Sequence, residues 1–95
     1  MLNQIMCVGR LQEIKNTNKK VVITLSVNRN YKNEQGIYET DLISCELYGD
    51  VAKNTLEYVK VGDVVGVKGR MANLTGKKLT IVAERITFLT SKKED

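Results

Sequence analysis

The sequence predicts an all-β fold, a small barrel of five strands with one short helix between the third and fourth strands. Apolar and polar residues alternate at period two over five separate segments, as they do in strands with one buried face. One further segment has helical spacing instead. The chain is 95 residues long and contains no Pro, which suits one domain with a small core. We assign this domain to residues 1–90 and a short polar end to residues 91–95.

The first three strands are predicted over residues 2–12, 21–28 and 38–48. Polar runs at residues 15–20 (KNTNKK) and 33–36 predict the two turns between them, and the second turn closes a long hairpin. In the second strand, alternation turns one set of apolar side chains inward, namely Val21, Ile23, Leu25 and Val27.

The short helix is predicted over residues 51–59. Ala52, Leu56 and Val59 fall on one of its faces. Asp50 stands where a side chain can cap the first turn, and Gly62 suits the exit. Residues 64–71 are then expected to form the fourth strand.

The fifth strand is predicted over residues 78–89, with an irregularity inside it. Leu79, Ile81 and Ala83 share one face, but the apolar positions then move to Ile86 and Phe88. A slip of one residue indicates a bulge near residues 84–85. Phe88 is expected to lie in the core.

Two glycines inside predicted strands, Gly9 and Gly69, suit a strongly coiled sheet. Glycine within a strand marks a bulge or a tight barrel corner. Five strands with a helix between the third and fourth are the arrangement of the OB-fold, a Greek-key barrel whose middle strands bind oligonucleotides or oligosaccharides.

The composition disfavours an enzyme. The chain has no His, which is the commonest general base and a frequent metal ligand. Cys7 and Cys45 are far apart in the sequence and are expected to be reduced thiols that pack as small apolar residues. We therefore predict a non-catalytic protein that needs no cofactor or metal.

The sequence also carries no pattern for a membrane or for secretion. No apolar run approaches the length of a bilayer span, and the N-terminus lacks the pattern of a signal peptide. We expect a cytoplasmic, nucleoid-associated protein. Lys and Arg number 15 against 11 Asp and Glu, a net charge of +4, which suits a polyanionic partner. On charge alone, a basic surface that only keeps the protein soluble explains the balance equally well.

Three of the four tyrosines lie in the hairpin and the third strand. Alternation turns Tyr48 outward on the side of Ser44, and Tyr31 lies on a basic arm of the hairpin. Rings that stand beside positive charge can stack on the bases of a single strand. Tyr38 is instead expected to make a cross-strand packing contact with the other arm.

Basic residues flank these rings and are candidates for phosphate contacts. Singly, each is more often an ordinary solvated charge, but as a set they can follow a nucleic-acid backbone. They are Arg10, Lys15, Lys19, Lys20, Arg29, Lys32, Lys68, Arg70, Lys77 and Lys78. Ser44, on the side of Tyr48, is a further candidate for a nucleic-acid contact.

Three segments resemble the bacterial single-stranded DNA-binding proteins, particularly those of low-GC Gram-positive bacteria and of their phages or mobile elements. They are LNQIMCVGRL at residues 2–11, ITLSVNRNYKNEQGIYETDLISCELYG at 23–49 and EYVKVGDVVGVKGRM at 57–71. They span most of the chain in the family's order and spacing.

The resemblance implies an OB-fold and a homotetramer, with the first strand pairing across a dimer interface. It also implies sequence-tolerant wrapping of single-stranded DNA during replication, recombination and repair. By position, Tyr31 and Tyr48 take the places of two stacking aromatics.

The chain departs from the family's pattern in three places. Leu42 stands where the family usually has Trp or Phe, and the loop at residues 73–77 is short and lacks an aromatic. The sequence ends in SKKED in place of an acidic tail that recruits replication and repair proteins. We therefore expect a short form with fewer stacking platforms and no tail-mediated partners.

Two other functions fit the same fold. A primosome-type OB protein of replication restart acts mainly as an interaction module and would be a dimer, whereas the main interpretation expects a tetramer. Binding of RNA or an oligosaccharide is the other alternative.

Overall fold

The computed structural model describes residues 3–72 and 80–90. The five strands close into a barrel in the order β1-β2-β3-β5-β4. This confirms the predicted five-stranded barrel with its helix between the third and fourth strands. The elements are β1 (Ile5–Asn16), β2 (Val21–Lys32), β3 (Tyr38–Leu47), α1 (Gly49–Tyr58), β4 (Val64–Ala72) and β5 (Thr80–Thr90).

The closure of the barrel depends on one short pairing. Four of the strand pairs are antiparallel. β3 and β5 instead pair in parallel, through Cys45 with Ile81 and Glu46 with Val82. This pairing joins the β1-β2-β3 sheet to the β4-β5 hairpin.

The barrel interior is filled by the alternating apolar side chains of the strands. Val21, Ile23 and Leu25 are buried, as alternation along β2 predicts. Cys45 is fully buried, and this burial raises the pKa of its thiol to about 12. Cys7 packs against the same core. Both cysteines are free thiols packed among apolar side chains, as predicted.

The predicted bulge in the last strand is present. The register between β4 and β5 moves from Lys68 opposite Arg85 to Gly69 opposite Ala83, so Glu84 is the extra residue. At this point the two backbones approach closely: a Cβ on Gly69 would lie 2.2 Å from the Val82 carbonyl oxygen. The glycine thus permits the tight corner that the sequence indicates.

The first strand is longer than predicted. Gln12 is left out of the pairing with β2, and this bulge shifts the alternation so that Ile14 packs against the core. β1 therefore continues to Asn16, and the first two residues of the predicted turn at 15–20 belong to the strand. The turn itself is fixed by Thr17, whose hydroxyl donates to the Lys20 carbonyl oxygen at 2.8 Å and accepts from the Lys20 N–H at 3.2 Å.

The helix begins earlier than predicted, and Asp50 does not cap it. The backbone stays extended through Tyr48, which occupies the N-cap position without a side-chain capping bond. Gly49 then turns the chain with a φ of 58°, a conformation that glycine adopts without a Cβ clash. Asp50 lies inside the first turn, where its charge favours the positive end of the helix dipole.

Phe88 lies outside the core, which contradicts the expectation from alternation. Its side chain is 48% exposed. Its ring lines an open groove between α1 and β5, where it meets Val59 and Ile86. Phe88 is paired with Val65 on β4, directly before a second register shift at Leu89, and such an irregularity interrupts the regular alternation on which the expectation rested.

Within the described residues, no helix has the length and apolar character needed to cross a bilayer.

Candidate nucleic-acid interface

One broad surface is formed by the outward side chains of β2 and β3. Thr24 lies opposite Ser44, Ser26 opposite Leu42, and Asn28 opposite Thr40. Tyr48 follows directly after β3 in an extended conformation, so it continues the same alternation. We call this surface the β2–β3 face: Val22, Thr24, Ser26 and Asn28 on β2, with Thr40, Leu42, Ser44, Glu46 and Tyr48 on β3 and just after it.

The middle of the β2–β3 face is polar but uncharged. The hydroxyl oxygens of Thr24 and Ser44 lie 3.4 Å apart, and the Thr40 hydroxyl donates to Asn28 Oδ1 at 3.1 Å. Leu42 stands between these pairs with its side chain 70% exposed. A ligand that lies here meets hydroxyls and one apolar side chain, so no charge in this strip repels a phosphate.

Tyr48 stands at one end of the β2–β3 face. Its ring is 38% exposed, and its hydroxyl donates to Glu46 Oε1 at 2.5 Å. This bond to a carboxylate raises the pKa of Tyr48, because it stabilises the protonated phenol. The other Glu46 oxygen, Oε2, is 3.0 Å from Lys20 Nζ. The Tyr48 ring therefore faces outward, as predicted, and its hydroxyl group is bound by Glu46.

The other end of the face belongs to the tip of the β2–β3 hairpin, residues 28–41, which we call the arm. Asn33 closes its turn by accepting the N–H groups of Gln35 and Ile37 at 2.9 and 3.0 Å. Lys32 lies opposite Tyr38, with its Nζ 5.6 Å from the centre of the Tyr38 ring. The predicted cross-strand contact of Tyr38 is therefore confirmed.

Tyr38 also belongs to the β2–β3 face by alternation. The register shift between β2 and β3 falls in the β2 segment from Asn28 to Lys32, while β3 continues regularly from Thr40 to Tyr38. Tyr38 is exposed and lies on the same face of β3 as Leu42. Its ring is a second aromatic platform on this face.

Arg29 lies on the opposite side of the arm. Its Nη2 donates to Asp41 Oδ1 at 2.9 Å and its Nη1 to Glu39 Oε1 at 3.0 Å. Both acceptors lie on the opposite face of β3 from Tyr38. The bond to Asp41 raises the pKa of Arg29, and the same contact lowers the pKa of Asp41. The Arg29 charge is therefore already matched within the arm.

Tyr31 lies in the segment of β2 between Asn28 and Lys32, where the register with β3 shifts. It is 61% exposed, so its ring is open to a ligand. Its position relative to the β2–β3 face is set by this irregular segment and not by regular alternation.

Arg10 lies at the β1 edge of the β2–β3 face. It pairs with Ser26 across β1 and β2, and its Nη1 donates to the Gly62 carbonyl oxygen at 2.6 Å. An open polar groove runs past it, lined by Val8, Gly9, Arg10, Ser26, Asn28 and Val64. The predicted Arg10 and Ser44 are therefore parts of one continuous surface.

Lys68 and Arg70 lie elsewhere. Both are exposed on β4, whose neighbours are β1 and β5, so they are on a different part of the barrel from the β2–β3 face. Arg70 Nε is 3.6 Å from Glu84 Oε2. The other predicted cations, Lys77 and Lys78, lie outside the described residues.

Sequence reasoning passed over two members of this surface, Tyr38 and Glu46. Strand alternation could have identified both residues, because positions 38, 42, 44, 46 and 48 all lie on the same side of a regular strand. The contact of Arg29 with Asp41 gave no such signal, because it depends on how the register shifts in the arm.

Comparison with curated proteins finds close relatives named single-stranded DNA-binding protein. The chain is 38% identical to protein 3 of that name from Listeria innocua, over 97% of this chain and 66% of the relative. It is 40% identical to protein B from Bacillus subtilis, over 75% of this chain and 68% of the relative. For protein 1 from Clostridium acetobutylicum, the identity is 34% over 98% of both chains. The chain thus spans about two thirds of some relatives and nearly all of a short one.

Solved structures show the same fold at low sequence identity. A small single-stranded DNA-binding protein from Mycoplasma pneumoniae matches with a TM-score of 0.75 at 18% identity over the whole of both chains. The Plasmodium falciparum protein in complex with single-stranded DNA matches with a TM-score of 0.71 at 22% identity, over 94% of this chain and 96% of its own. These matches confirm the OB-fold.

The sequence profile of the single-strand binding protein family matches residues 2–89. Because this is a family of non-enzymatic proteins, the prediction of a non-catalytic protein is confirmed. The match covers nearly the whole barrel, from β1 to β5, and with it the β2–β3 face. The chain belongs to the single-strand binding protein family.

Proposed function

We propose that the protein binds single-stranded DNA without strong sequence preference and protects it during replication, recombination and repair. The observation that carries the proposal is the β2–β3 face, where Tyr38 and Tyr48 stand at opposite ends of a strip whose middle is polar and uncharged. Membership of the single-strand binding protein family supports the choice of ligand.

Stacking on tyrosine supplies the part of the affinity that does not depend on sequence. Each base stacked on an aromatic ring contributes about 1–3 kcal/mol, and every base offers a flat face. Tyr48 and Tyr38 are the platforms on the β2–β3 face, and the hydroxyls between them tolerate different base edges. Tyr31 takes part where the strand passes over the arm.

Phosphate contacts supply the salt-dependent part. Arg10 at the edge of the face and Lys32 on the arm lie nearest to the proposed path. Arg29 contributes less, because its charge is matched by two carboxylates. Lys68 and Arg70 contribute if the strand continues around the barrel to β4. We expect log K to fall with log salt by about 0.7 for each phosphate neutralised.

Fluorescence anisotropy with labelled oligo-dT tests this function. Tyr48→Ala and Tyr31→Ala should each weaken binding by about 1–3 kcal/mol at low salt. Tyr58→Ala is a matched control, since Tyr58 is an exposed tyrosine on α1, away from the β2–β3 face. No binding by the unaltered protein at low salt would overturn the proposal. Oligo-dT affinity that is unchanged by loss of Tyr31, Tyr38 and Tyr48 together would overturn the assignment of the site.

A homotetramer is proposed as the working form, with the primosome-type dimer as the alternative. Support comes from an apolar patch on the outside of the barrel, where Gly66 lies beneath Val8 and Leu89 and Met6 is exposed nearby. Exposed apolar patches of this kind commonly mark interfaces between protein chains. Native mass spectrometry distinguishes the tetramer from the dimer.

A DNA-binding protein of this kind is expected in the cytoplasm with the nucleoid.

A further inference from the structure

Glu46 is an unexpected residue on a surface that binds a polyanion. It lies on the β2–β3 face, two residues before Tyr48, and its side chain is only 15% exposed. A carboxylate here repels phosphates unless its charge is matched. Its two oxygens are in fact engaged separately: Oε1 accepts the Tyr48 hydroxyl, and Oε2 pairs with Lys20.

The bond from Tyr48 restrains the outer end of a ring that is 38% exposed. The Tyr48 backbone is held extended between the end of β3 and the turn at Gly49, so the Cβ position is set. The remaining freedom is rotation of the side chain, and the bond at the hydroxyl restrains it from the far end. A ring that is already oriented loses less entropy when a base stacks on it.

Lys20 completes this arrangement from the other side. It ends the turn at residues 17–20, and the Thr17 hydroxyl binds both its N–H and its carbonyl oxygen. The turn fixes the Lys20 backbone, and the ammonium group at the end of its side chain lies 3.0 Å from Glu46 Oε2. Lys20 matches the charge of Glu46 and also keeps its carboxylate facing Tyr48.

We propose that Glu46 is a positioning residue for single-strand binding, which orients the Tyr48 ring for base stacking while Lys20 cancels its charge. The proposal rests on the proposed function and deepens it. It explains why the ring at this position is a tyrosine: a phenylalanine could stack but could not be held by Glu46.

Two ligands of equal length separate stacking from charge: oligo-dT and an abasic oligodeoxynucleotide, which carries phosphates but no bases. Glu46→Ala should weaken oligo-dT binding about three- to tenfold and should not weaken abasic binding, because the change adds no negative charge. Glu46→Gln keeps an acceptor for the Tyr48 hydroxyl and should recover most of the affinity that Glu46→Ala loses.

Tyr48→Phe tests the same contact from its other end and leaves the carboxylate in place, so the test does not depend on how well Glu46→Ala folds. It should weaken oligo-dT binding as much as Glu46→Ala does, and the double variant should be no weaker than either single one. Equal losses on both oligonucleotides, full additivity, or unaltered oligo-dT binding by Tyr48→Phe would each overturn the proposal. Failure of the unaltered protein to bind oligo-dT would instead overturn the proposed function.

Discussion

At the scale of single residues, Gly69 shows how closely two strands approach at the β5 bulge. Any side chain at position 69 must displace the backbone of Val82, because its Cβ would lie 2.2 Å from the carbonyl oxygen. Backbone cannot move aside as the end of a flexible side chain can. The residue is therefore a constraint on the fold itself and not on the binding surface.

Gly69→Ala should lower the free energy of unfolding by about 2 kcal/mol or more, since forced overpacking in a well-packed region costs about 1–3 kcal/mol. Chemical denaturation measures the loss. Gly66→Ala on the same strand is the control: its nearest neighbour would be Leu89 Cδ1 at 3.7 Å, an ordinary contact. Equal stability of the two variants would contradict the argument.

Leu42 is the residue at which a stacking platform can be added. It lies exposed between Tyr38 and Tyr48 on the β2–β3 face, so a ring there need not displace the core. Leu42→Trp should tighten oligo-dT binding about tenfold, at the lower end of the contribution of one stacked base. The control is Leu56→Trp, which adds the same ring to an exposed position of α1. A gain in both variants, or in neither, would contradict a site at Leu42.

At the scale of elements, the arm is held by its own charges. Arg29 and Asp41 form a bonded pair across β2 and β3, and Glu39 adds a second carboxylate. The three charges sum to −1, so this face of the arm carries no surplus positive charge. The cluster stiffens the hairpin on the side away from Tyr38, which leaves the aromatic side free for a ligand.

The pair should also make folding stability depend on pH. Arg29 lowers the pKa of Asp41 in the folded protein, so the folded state favours the ionised carboxylate. The stabilisation is present above the ordinary carboxyl pKa and is lost as the pH falls through the lowered value. Asp41→Asn should therefore lower Tm at neutral pH, and the difference from the unaltered protein should shrink below about pH 4. A constant difference across the acid range, or the same profile in Glu57→Gln, would contradict this origin.

The elements that sequence could predict are those whose alternation is uninterrupted. In β2, the inward positions Val21, Ile23 and Leu25 are all buried. Where a bulge interrupts the alternation, the strand can be predicted only if apolar residues after the bulge reveal the one-residue shift. At Glu84 they do, through Ile86; at Gln12 the following residues are mostly polar, so the end of β1 was hidden.

The candidate site could be predicted where its residues follow the regular alternation of β3, as Ser44 and Tyr48 do. The candidate site could not be predicted where a side chain has more than one possible binding partner. Arg29 had a polyanion and two carboxylates as alternatives, and only the register of the arm brings Asp41 within reach. The facing of Tyr31 depends on the same register shift.

At the scale of the whole molecule, the barrel has two surfaces with different chemistry. The β2–β3 face is hydroxyl-rich and aromatic, whereas the outside of β1, β4 and the end of β5 carries the patch of Met6, Val8 and Leu89. The two surfaces adjoin at Val8, which also lines the groove beside Arg10. Substitutions in the patch should therefore be read out on assembly itself.

Val8→Glu combined with Leu89→Glu should reduce the assembly to a smaller species, because buried, unpaired carboxylates oppose association. Native mass spectrometry measures the change, and Ile37→Glu, at an exposed position in the turn of the β2–β3 hairpin, should leave the assembly intact. Retention of the full assembly in the double variant would place the interface elsewhere.

The parallel pairing of β3 with β5 has a consequence for local opening. Among residues 3–72 and 80–90, only the pairs at residues 45 with 81 and 46 with 82 join these strands, whereas β2 and β3 are paired along most of their length. Amide hydrogens at this junction should exchange with solvent sooner than those in the middle of β2, since fewer bonds must break to release them. Glu46 lies on the junction and also holds Tyr48. Occupancy of the Tyr48 ring by a base should therefore slow exchange on β5, a strand that the base does not touch.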